Sequence, residues 1–281
     1  MVKERVIHMM FPVDFPAVHG PRFEGKVAII TGAGSGIGKA TAIQMAREGA
    51  KVALFDLINE RTAVTEQEIN SFNPGAARAF DVDISDSQRL ERAVLETVEL
   101  FGGLDIVFAN AGINGVLAPI EELSLEDWRK TLNINLDGTF LTVKYAVPHL
   151  KARGGGSIII TSSINGNQRF TSFGMTAYST SKAAQTAFAK MAALELAKSK
   201  IRVNVICPGA IATNIDETTD KTDGLKEIVI PVEFPEGGQP LADGPGQPEN
   251  VADLVTFLAS EQSSHITGSQ IVIDGAESLL F

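Results

Sequence analysis

Tyr178 and Lys182 stand four residues apart in Tyr-Ser-Thr-Ser-Lys, a spacing that sets a phenol and an ammonium on one face of a helix. Such a pair suits proton transfer. Oxidising a secondary alcohol needs a base for the hydroxyl proton as hydride leaves the carbon, and reducing the carbonyl needs the same group as an acid. The ordinary phenol pKa of about 10 is too high for a base near neutrality. An ammonium about 4 Å away, at an effective dielectric near 20, contributes up to roughly 4 kcal/mol, which at about 1.4 kcal/mol per unit would bring Tyr178 near 7 before burial opposes it. Tyr145, the only other tyrosine, is followed four residues later by His149 and has no lysine at this spacing. An isolated Tyr-x-x-x-Lys more often merely decorates a helix, so the context decides.

Upstream, Thr31-Gly32-Ala33-Gly34-Ser35-Gly36-Ile37-Gly38 joins an apolar run to a helical pattern over 37–48. Glycines at Gly32, Gly36 and Gly38 permit a tight turn and let backbone N–H groups approach a pyrophosphate at the helix N-terminus. Close strand-to-helix packing alone would also explain them. Asp56 ends the second apolar run, 18 residues after Gly38, where a carboxylate accepts hydrogen bonds from adenosine ribose hydroxyls and repels a 2′-phosphate. Its plainer reading is a strand-end turn residue. Loop and pair together point to hydride and proton transfer with a nicotinamide dinucleotide, NAD before NADP.

Seven short apolar runs must position these groups: 26–31, 51–56, 76–81, 104–110, 156–162, 201–207 and 270–274. Mostly apolar on both faces, they indicate a parallel sheet. The helical patterns between them have readable starts: Ser85-Asp86 before 87–101, Ser124 with Asp127 three later, and Pro248 opening 249–260. The expected fold is α/β, a doubly wound seven-stranded parallel sheet with helices on both faces, forming one Rossmann-type domain over 23–281. Residues 1–22 carry three prolines and read as an N-terminal extension, either an arm over the domain or a neighbouring subunit, or a disordered segment. Residues 214–247 are far too long for an ordinary connection and read as a substrate lid.

At 281 residues and 44% hydrophobic, the chain can bury one sizeable core. No apolar run approaches the roughly 18 residues of a membrane span. The stretch after Lys3 and Arg5 is broken by His8, Pro12 and Asp14, against a secretory signal, and the expected location is cytoplasmic. Cys207, the only cysteine, closes an apolar run and reads as a small buried hydrophobe. His8, His19, His149 and His265 lack metal-ligand spacing, so no metal is expected. A net charge of −10 disfavours nucleic acid and anionic membrane as partners. Within 214–247, eight acidic residues face two lysines, a net −6 that argues against highly anionic substrates.

In their order along the chain, the glycine loop, Asn110-Ala111-Gly112, Asn135, Ser162-Ser163, Tyr178 with Lys182, and Pro208-Gly209 resemble the short-chain dehydrogenase/reductase family, from about Phe23 to the C-terminus. The resemblance implies that Tyr178 transfers the proton, Lys182 lowers its pKa, Ser163 orients the substrate oxygen, and Asn135, in a distorted helix, completes a water relay. Ser162 and Asn133 are competing registers, but Ser163 stands three before Gly166 and Asn135 three before Gly138, as in relatives. Cofactor contacts are implied for Gly32, Ser35, Gly36, Ile37, Gly38 and Asp56, for Asp83 and Ile84 beside the adenine with Asp81 as rival register, and for Asn110, Ala111 and Gly112 beside its ribose. They are implied also for Tyr178, Lys182, Pro208, Gly209 and Ile211, and for Thr213 at the nicotinamide carboxamide. Asn110-Ala111-Gly112 reads equally as a strand-ending turn. Relatives that prefer the phosphorylated cofactor carry a basic residue before the second loop glycine or just after the aspartate, where this chain has Ser35 and Leu57.

Substrate contacts would come from 114–119, 164–175 and 214–247, which mix Phe170, Phe173 and Met175 with Asn165, Gln168 and Arg169. The expected substrate is a small alcohol or carbonyl compound: a neutral secondary alcohol, polyol or sugar. Arg169 reads as a receptor for a substrate carboxylate or, more commonly, as one half of a surface or intersubunit ion pair. A 3-oxoacyl-thioester (acyl-carrier-protein) reductase is the competing enzyme, disfavoured by Asp56 and the acidic lid. A non-catalytic NAD(H)-binding sensor or scaffold is the competing class, and binding alone would not require Ser163, Tyr178 and Lys182 together. The resemblance also implies a homo-oligomer, a tetramer built through helices around 126–153 and 176–198 and the last strand.

Overall fold

The computed structural model describes residues 21–170, 172–231, 238–242 and 244–280. All but Pro21 and Arg22 of the expected N-terminal extension lie outside them. In chain order the strands are β1 (Val27–Thr31), β2 (Lys51–Asp56), β3 (Ala77–Asp81), β4 (Ile106–Ala109), β5 (Gly115–Leu117), β6 (Gly156–Thr161), β7 (Ile201–Pro208), β8 (Thr219–Lys221) and β9 (Gln270–Ile273). The helices are α1 (Gly36–Arg47), α2 (Asn59–Phe72), α3 (Ser87–Phe101), α4 (Leu125–Leu132), α5 (Gly138–Ala152), α6 (Thr176–Leu196), α7 (Leu225–Ile228) and α8 (Pro248–Ala259), with a π-helical turn, Asn133–Asp137, joining α4 to α5.

Seven strands form one parallel sheet in the order β3-β2-β1-β4-β6-β7-β9. Each expected apolar run supplies one of them. Every residue of β1 is buried, because alternate side chains enter two cores. Val27 and Ile29 pack with Leu90 and Val94 of α3, Leu150 of α5 and Leu196 of α6, while Ala28 and Ile30 pack with Met45 of α1, Ile69 of α2 and Val255 of α8. Helices therefore cover both faces, and the order reverses at β1/β4, which opens a crevice at the carboxyl ends of those strands.

The expected helix starts are met by local hydrogen bonds. The Asp86 carboxylate accepts from the Gln88 and Arg89 N–H groups at 3.0 Å each, and Ser124 Oγ accepts from the Asp127 N–H at 3.0 Å. Asn250 Oδ1 accepts from the Gln247 N–H at 2.8 Å behind Pro248. Two strands escaped the sequence reading. β5 and β8 form a separate parallel ribbon, and a three-residue strand is too short to show a period, all the more when its partner lies about a hundred residues away. This ribbon fastens the root of the segment expected to act as a lid, helped by Asn114 Nδ2, which donates to Thr219 Oγ1 at 2.9 Å.

Candidate active site

The crevice is lined first by the glycine loop. Ser35 sits extended at the N-cap of α1 (φ −153°, ψ 171°), yet no side chain caps that helix. Its first-turn N–H groups thus retain capacity for an anion. A Cβ on Gly38 would stand 2.0 Å from the Gly32 carbonyl oxygen, so α1 can approach the loop only with glycine there. The Thr213 side chain lies over Gly36, within 3.1 Å of where a Cβ would be. Ile37 and Ile211 turn toward the core beneath. A bare helix N-terminus and a loop cleared of side chains fit a dinucleotide pyrophosphate.

Asp56 closes β2 beside that loop, its carboxylate accepting from the Gly34 N–H at 2.9 Å and the Ile58 N–H at 3.0 Å. Lone pairs remain for ribose hydroxyls. A basic residue does lie nearby, at a position the sequence reading passed over. Arg61, in the first turn of α2, packs its Cβ against Gly34, and its guanidinium donates to Glu217 across the crevice at 2.5 Å. Asp83 and Ile84 follow β3, but the Asp83 carboxylate holds Ser85, accepting from its N–H at 2.8 Å and its hydroxyl at 2.7 Å, and the Ile84 side chain is buried against Gly138. Asn110 is a stitch between strands. Its amide donates to the Thr31 carbonyl at 3.2 Å and accepts from Thr161 Oγ1 at 3.0 Å, and the Asn110 and Ala111 N–H groups both reach Thr31 Oγ1. Of the two readings of Asn110-Ala111-Gly112, the strand-ending turn has its hydrogen bonds in place.

Next to this cleft the four expected proton-transfer residues converge from three elements. Ser163 follows β6, Tyr178 and Lys182 lie one turn apart on α6, and Asn135 sits in the π turn. All four are buried. The Ser163 side chain neighbours the Tyr178 phenol closely enough to draw its pKa down. The Lys182 ammonium lies 5.5 Å from the centre of the Tyr178 ring and donates to the Thr161 carbonyl at 2.9 Å. A Cβ on Gly112 would come within 3.0 Å of Asn135 Oδ1 and 3.5 Å of Lys182 Nζ, so glycine there keeps both polar groups clear. Pro208 and Gly209 brace the floor: the Ile164 N–H donates to the Pro208 carbonyl, and the Gly209 N–H to that of Ile273.

Electrostatics correct one expectation. Burial pushes the Tyr178 phenol above its ordinary value of 10, the Ser163 side chain pulls it partly back, and neighbouring Cys207 raises it further; Lys182 is not among the groups that shift it. The ammonium lies against the ring face and is itself pushed down by burial to about 8. The estimate near 7 assumed an ammonium beside the phenol oxygen with desolvation set aside, and here desolvation wins. Burial also pushes the Cys207 thiol up, consistent with an inert core residue.

A second correction concerns Asn135. Its side chain is committed, Oδ1 accepting from the Ile113 N–H at 2.8 Å and Nδ2 donating to the Ile113 carbonyl at 2.9 Å and Ser181 Oγ at 3.0 Å. Its backbone carbonyl accepts from Gln185 Nε2 at 2.8 Å and Thr139 Oγ1 at 2.7 Å. Both lone pairs are therefore taken, leaving none for the water that the resemblance implies. Gln185, one turn beyond Lys182, was missed because a glutamine on a helix ordinarily faces solvent; here it is fully buried, its Oε1 without a hydrogen-bond partner.

Arg169 resolves to an ion pair, though not a surface one: it meets Glu277 at 3.0 Å, and both side chains are largely buried. Nothing in the sequence linked residues 108 apart, and Glu277 was not singled out.

Known proteins are similar to this chain over most of its length. The family model described as Enoyl-(Acyl carrier protein) reductase matches residues 32–276. Cyclohexanol dehydrogenase of Acinetobacter sp. (strain SE19) is 38% identical over 255 residues, spanning 91% of this chain and 96% of that protein. The crystal structure of a 3-ketoacyl-ACP reductase from Sinorhizobium meliloti 1021 superposes with a TM-score of 0.86 at 49% identity, covering 91% of this chain and 100% of the other. A 3-ketoacyl-(acyl-carrier-protein) reductase from Brucella melitensis, solved in complex with NADH, does so with a TM-score of 0.80 at 30% identity, covering 91% and 99%. With crevice, glycine loop and buried tyrosine in the same fold, the chain belongs to the short-chain dehydrogenase/reductase family of NAD(P)-dependent oxidoreductases, which act on CH–OH groups.

Proposed function

We propose that this protein is an NAD-dependent dehydrogenase of a neutral secondary alcohol, polyol or sugar, with Tyr178, Ser163, Lys182 and Asn135 as its catalytic set. The observation that carries the reading is a buried phenol beside Ser163, with the Lys182 ammonium against its ring, at the mouth of a glycine-lined crevice. Bound nicotinamide supplies the hydride acceptor. The Ser163 hydroxyl donates to the substrate oxygen and fixes it beside Tyr178 Oη. Tyr178 takes the hydroxyl proton and returns it in the reverse direction. Lys182, anchored on the Thr161 carbonyl with its ammonium against the phenol ring, helps to hold the cofactor beside Tyr178, and Asn135 fixes the loop at Ile113 next to Gly112.

Preference for NAD is supported by Asp56, a carboxylate already facing Gly34, and by the engagement of Arg61 with Glu217. The likeness to a cyclohexanol dehydrogenase supports a neutral alcohol. The 49% identity to a structure titled a 3-ketoacyl-ACP reductase supports the second reading, a 3-oxoacyl-thioester reductase. One assay separates them: NAD⁺ reduction with cyclohexanol, polyols and sugars against NADH and NADPH oxidation with a 3-oxoacyl thioester. Faster thioester turnover, or tighter NADPH than NADH binding, would replace this reading. Tight NADH binding with no turnover on any substrate would instead favour the sensor.

A homotetramer is part of the proposal, supported by apolar side chains left open on α5 and α6: Phe140 is 46% exposed, Met191 66% and Leu194 74%. Among the described residues, no helix is long and apolar enough to cross a membrane. A cytoplasmic location completes the proposal.

A further inference from the structure

A cavity of about 530 Å³ opens at the amino ends of β1, β4, β6 and β7, at the opposite end of the sheet from the candidate active site, and its volume is that of a small-molecule site. Its walls are cationic. Arg22, Lys26, Arg153, Lys200 and Arg202 line it against two carboxylates, Asp105 and Glu261, in a chain whose net charge is −10. Part of that charge is matched: Arg22 pairs with Glu48, while Lys26 and Arg153 share the buried Asp105 at 3.6 and 3.1 Å. The rest is not. Among the described residues Lys200 makes no ion pair, and the half-buried Arg202 donates to main-chain carbonyls, those of Leu258 at 2.7 Å and Ser260 at 3.1 Å, at the end of α8. Even with Glu48 counted, five cations meet three carboxylates, a surplus of two positive charges. Burial pushes the Arg202 guanidinium below its usual value, and Glu261 offsets this only in part. Thr267 Oγ1, in the same lining, accepts from the Val203 N–H at 3.1 Å and keeps its own proton to donate.

We propose that this cavity binds a small oxyanion of two or more charges, a phosphate or a polycarboxylate, at a site separate from the one that takes cofactor and substrate. Cations that share too few carboxylates leave positive charge uncompensated, and an oxyanion seated among them supplies the missing counter-charge through charge-assisted hydrogen bonds. The surplus of two sets the valence. A role at the C-terminal end of α8, where a cation satisfies the last carbonyls, accounts for Arg202 by itself. It does not account for Lys200, or for two cations on one Asp105, lining the same space. Because the ligand engages side chains that only folding brings together, its binding stabilises the folded chain.

The test uses the full chain saturated with NADH, which keeps the glycine loop occupied, in metal-free buffer of constant ionic strength. Calorimetric titration with pyrophosphate and, separately, with citrate gives the affinity for each anion. The wild type is expected to bind one equivalent of at least one of them with a Kd below about 1 mM. Binding of pyrophosphate alone assigns a phosphate ligand, and of citrate alone a polycarboxylate. Lys200→Glu should weaken binding about tenfold or more and Lys26→Gln about threefold, as loss of a charge-assisted contact gives. Lys226→Glu, the same change in net charge on an exposed side chain of α7, should leave it unchanged. The bound anion should also raise the melting temperature of the wild type, and do so less in Lys200→Glu. No binding of either anion to the wild type overturns the proposal. So does equal weakening by Lys200→Glu and Lys226→Glu, the mark of general charge repulsion. If Lys200→Glu does not fold, Lys26→Gln decides, and undiminished affinity there removes the site. The titration needs no turnover, so it decides the matter whatever substrate the protein takes.

Discussion

The cofactor end and the substrate end of the crevice are built by different means. At the glycine loop the constraints are steric and local: backbone must approach backbone, and the residues that allow it lie within seven positions of one another, from Gly32 to Gly38. Beyond the glycine loop the constraints are pairings between remote side chains: Arg169 with Glu277 behind the loop after Ser163, and Arg61, packed on Gly34, with Glu217 at the root of the segment expected to act as a lid. Steric requirements leave few residue types that satisfy them, whereas a salt bridge can be exchanged, moved or reversed. One end is suited to stay the same while the other changes its ligand.

The sharpest break should come where both ends meet. Tyr178→Phe is expected to lower kcat by about 10³-fold, within the range for a lost general acid–base, with NADH affinity kept within about threefold by the same reasoning that only the proton carrier is removed. NAD⁺ reduction and NADH fluorescence titration check the two halves, and retained turnover would remove Tyr178 from the mechanism. At the cofactor end alone, Gly38→Val forces a side chain into the Gly32 carbonyl and is expected to weaken NADH binding by about 100-fold, in line with an overpacking cost of about 1–3 kcal/mol or more. Circular dichroism separates lost binding from lost folding.

Lys182 offers a test with opposite signs. Its pKa falls from 10.5 to about 8 in the folded chain. Between those values the unfolded chain holds a proton that the folded chain has released, so stability rises with pH across that window; below about 8 the fold bears the full cost of the buried charge. Lys182→Met is expected to lower turnover by about 100-fold. At pH 7 it should also unfold at higher urea, by up to about 3 kcal/mol less the lost bond to the Thr161 carbonyl. The wild-type gain in urea midpoint between pH 8 and pH 10.5 should vanish in the variant. The smallest effect lies at the exposed Arg61–Glu217 bridge: Arg61→Ala should change NADH affinity by no more than about threefold and leave the urea midpoint unmoved, since an exposed pair is screened by solvent. A large loss would make that bridge a working part of the cofactor end.

This contrast also governs how much could be read from residues alone. The five inner sheet strands, β1, β2, β4, β6 and β7, were legible because a strand buried on both faces leaves a continuous apolar run, and helix starts at Asp86, Ser124 and Pro248 were legible because caps are chosen locally. The pairing of Tyr178 with Lys182 followed from helical spacing, and the meeting of both with Ser163 and Asn135 was implied by the family resemblance. What escaped was whatever depended on distance through space: the β5–β8 ribbon, Gln185 under the π turn, and Glu277. The pKa of Tyr178 went astray for a related reason, since spacing along a helix names a neighbour but not whether its charge faces the oxygen or the ring.

The β5–β8 ribbon and the Ile211–Gly246 bridge pin the stretch between them at either end. The chain is therefore tethered to the domain at 219–221 and again at Gly246, two anchorages made largely by backbone and so little dependent on side-chain identity.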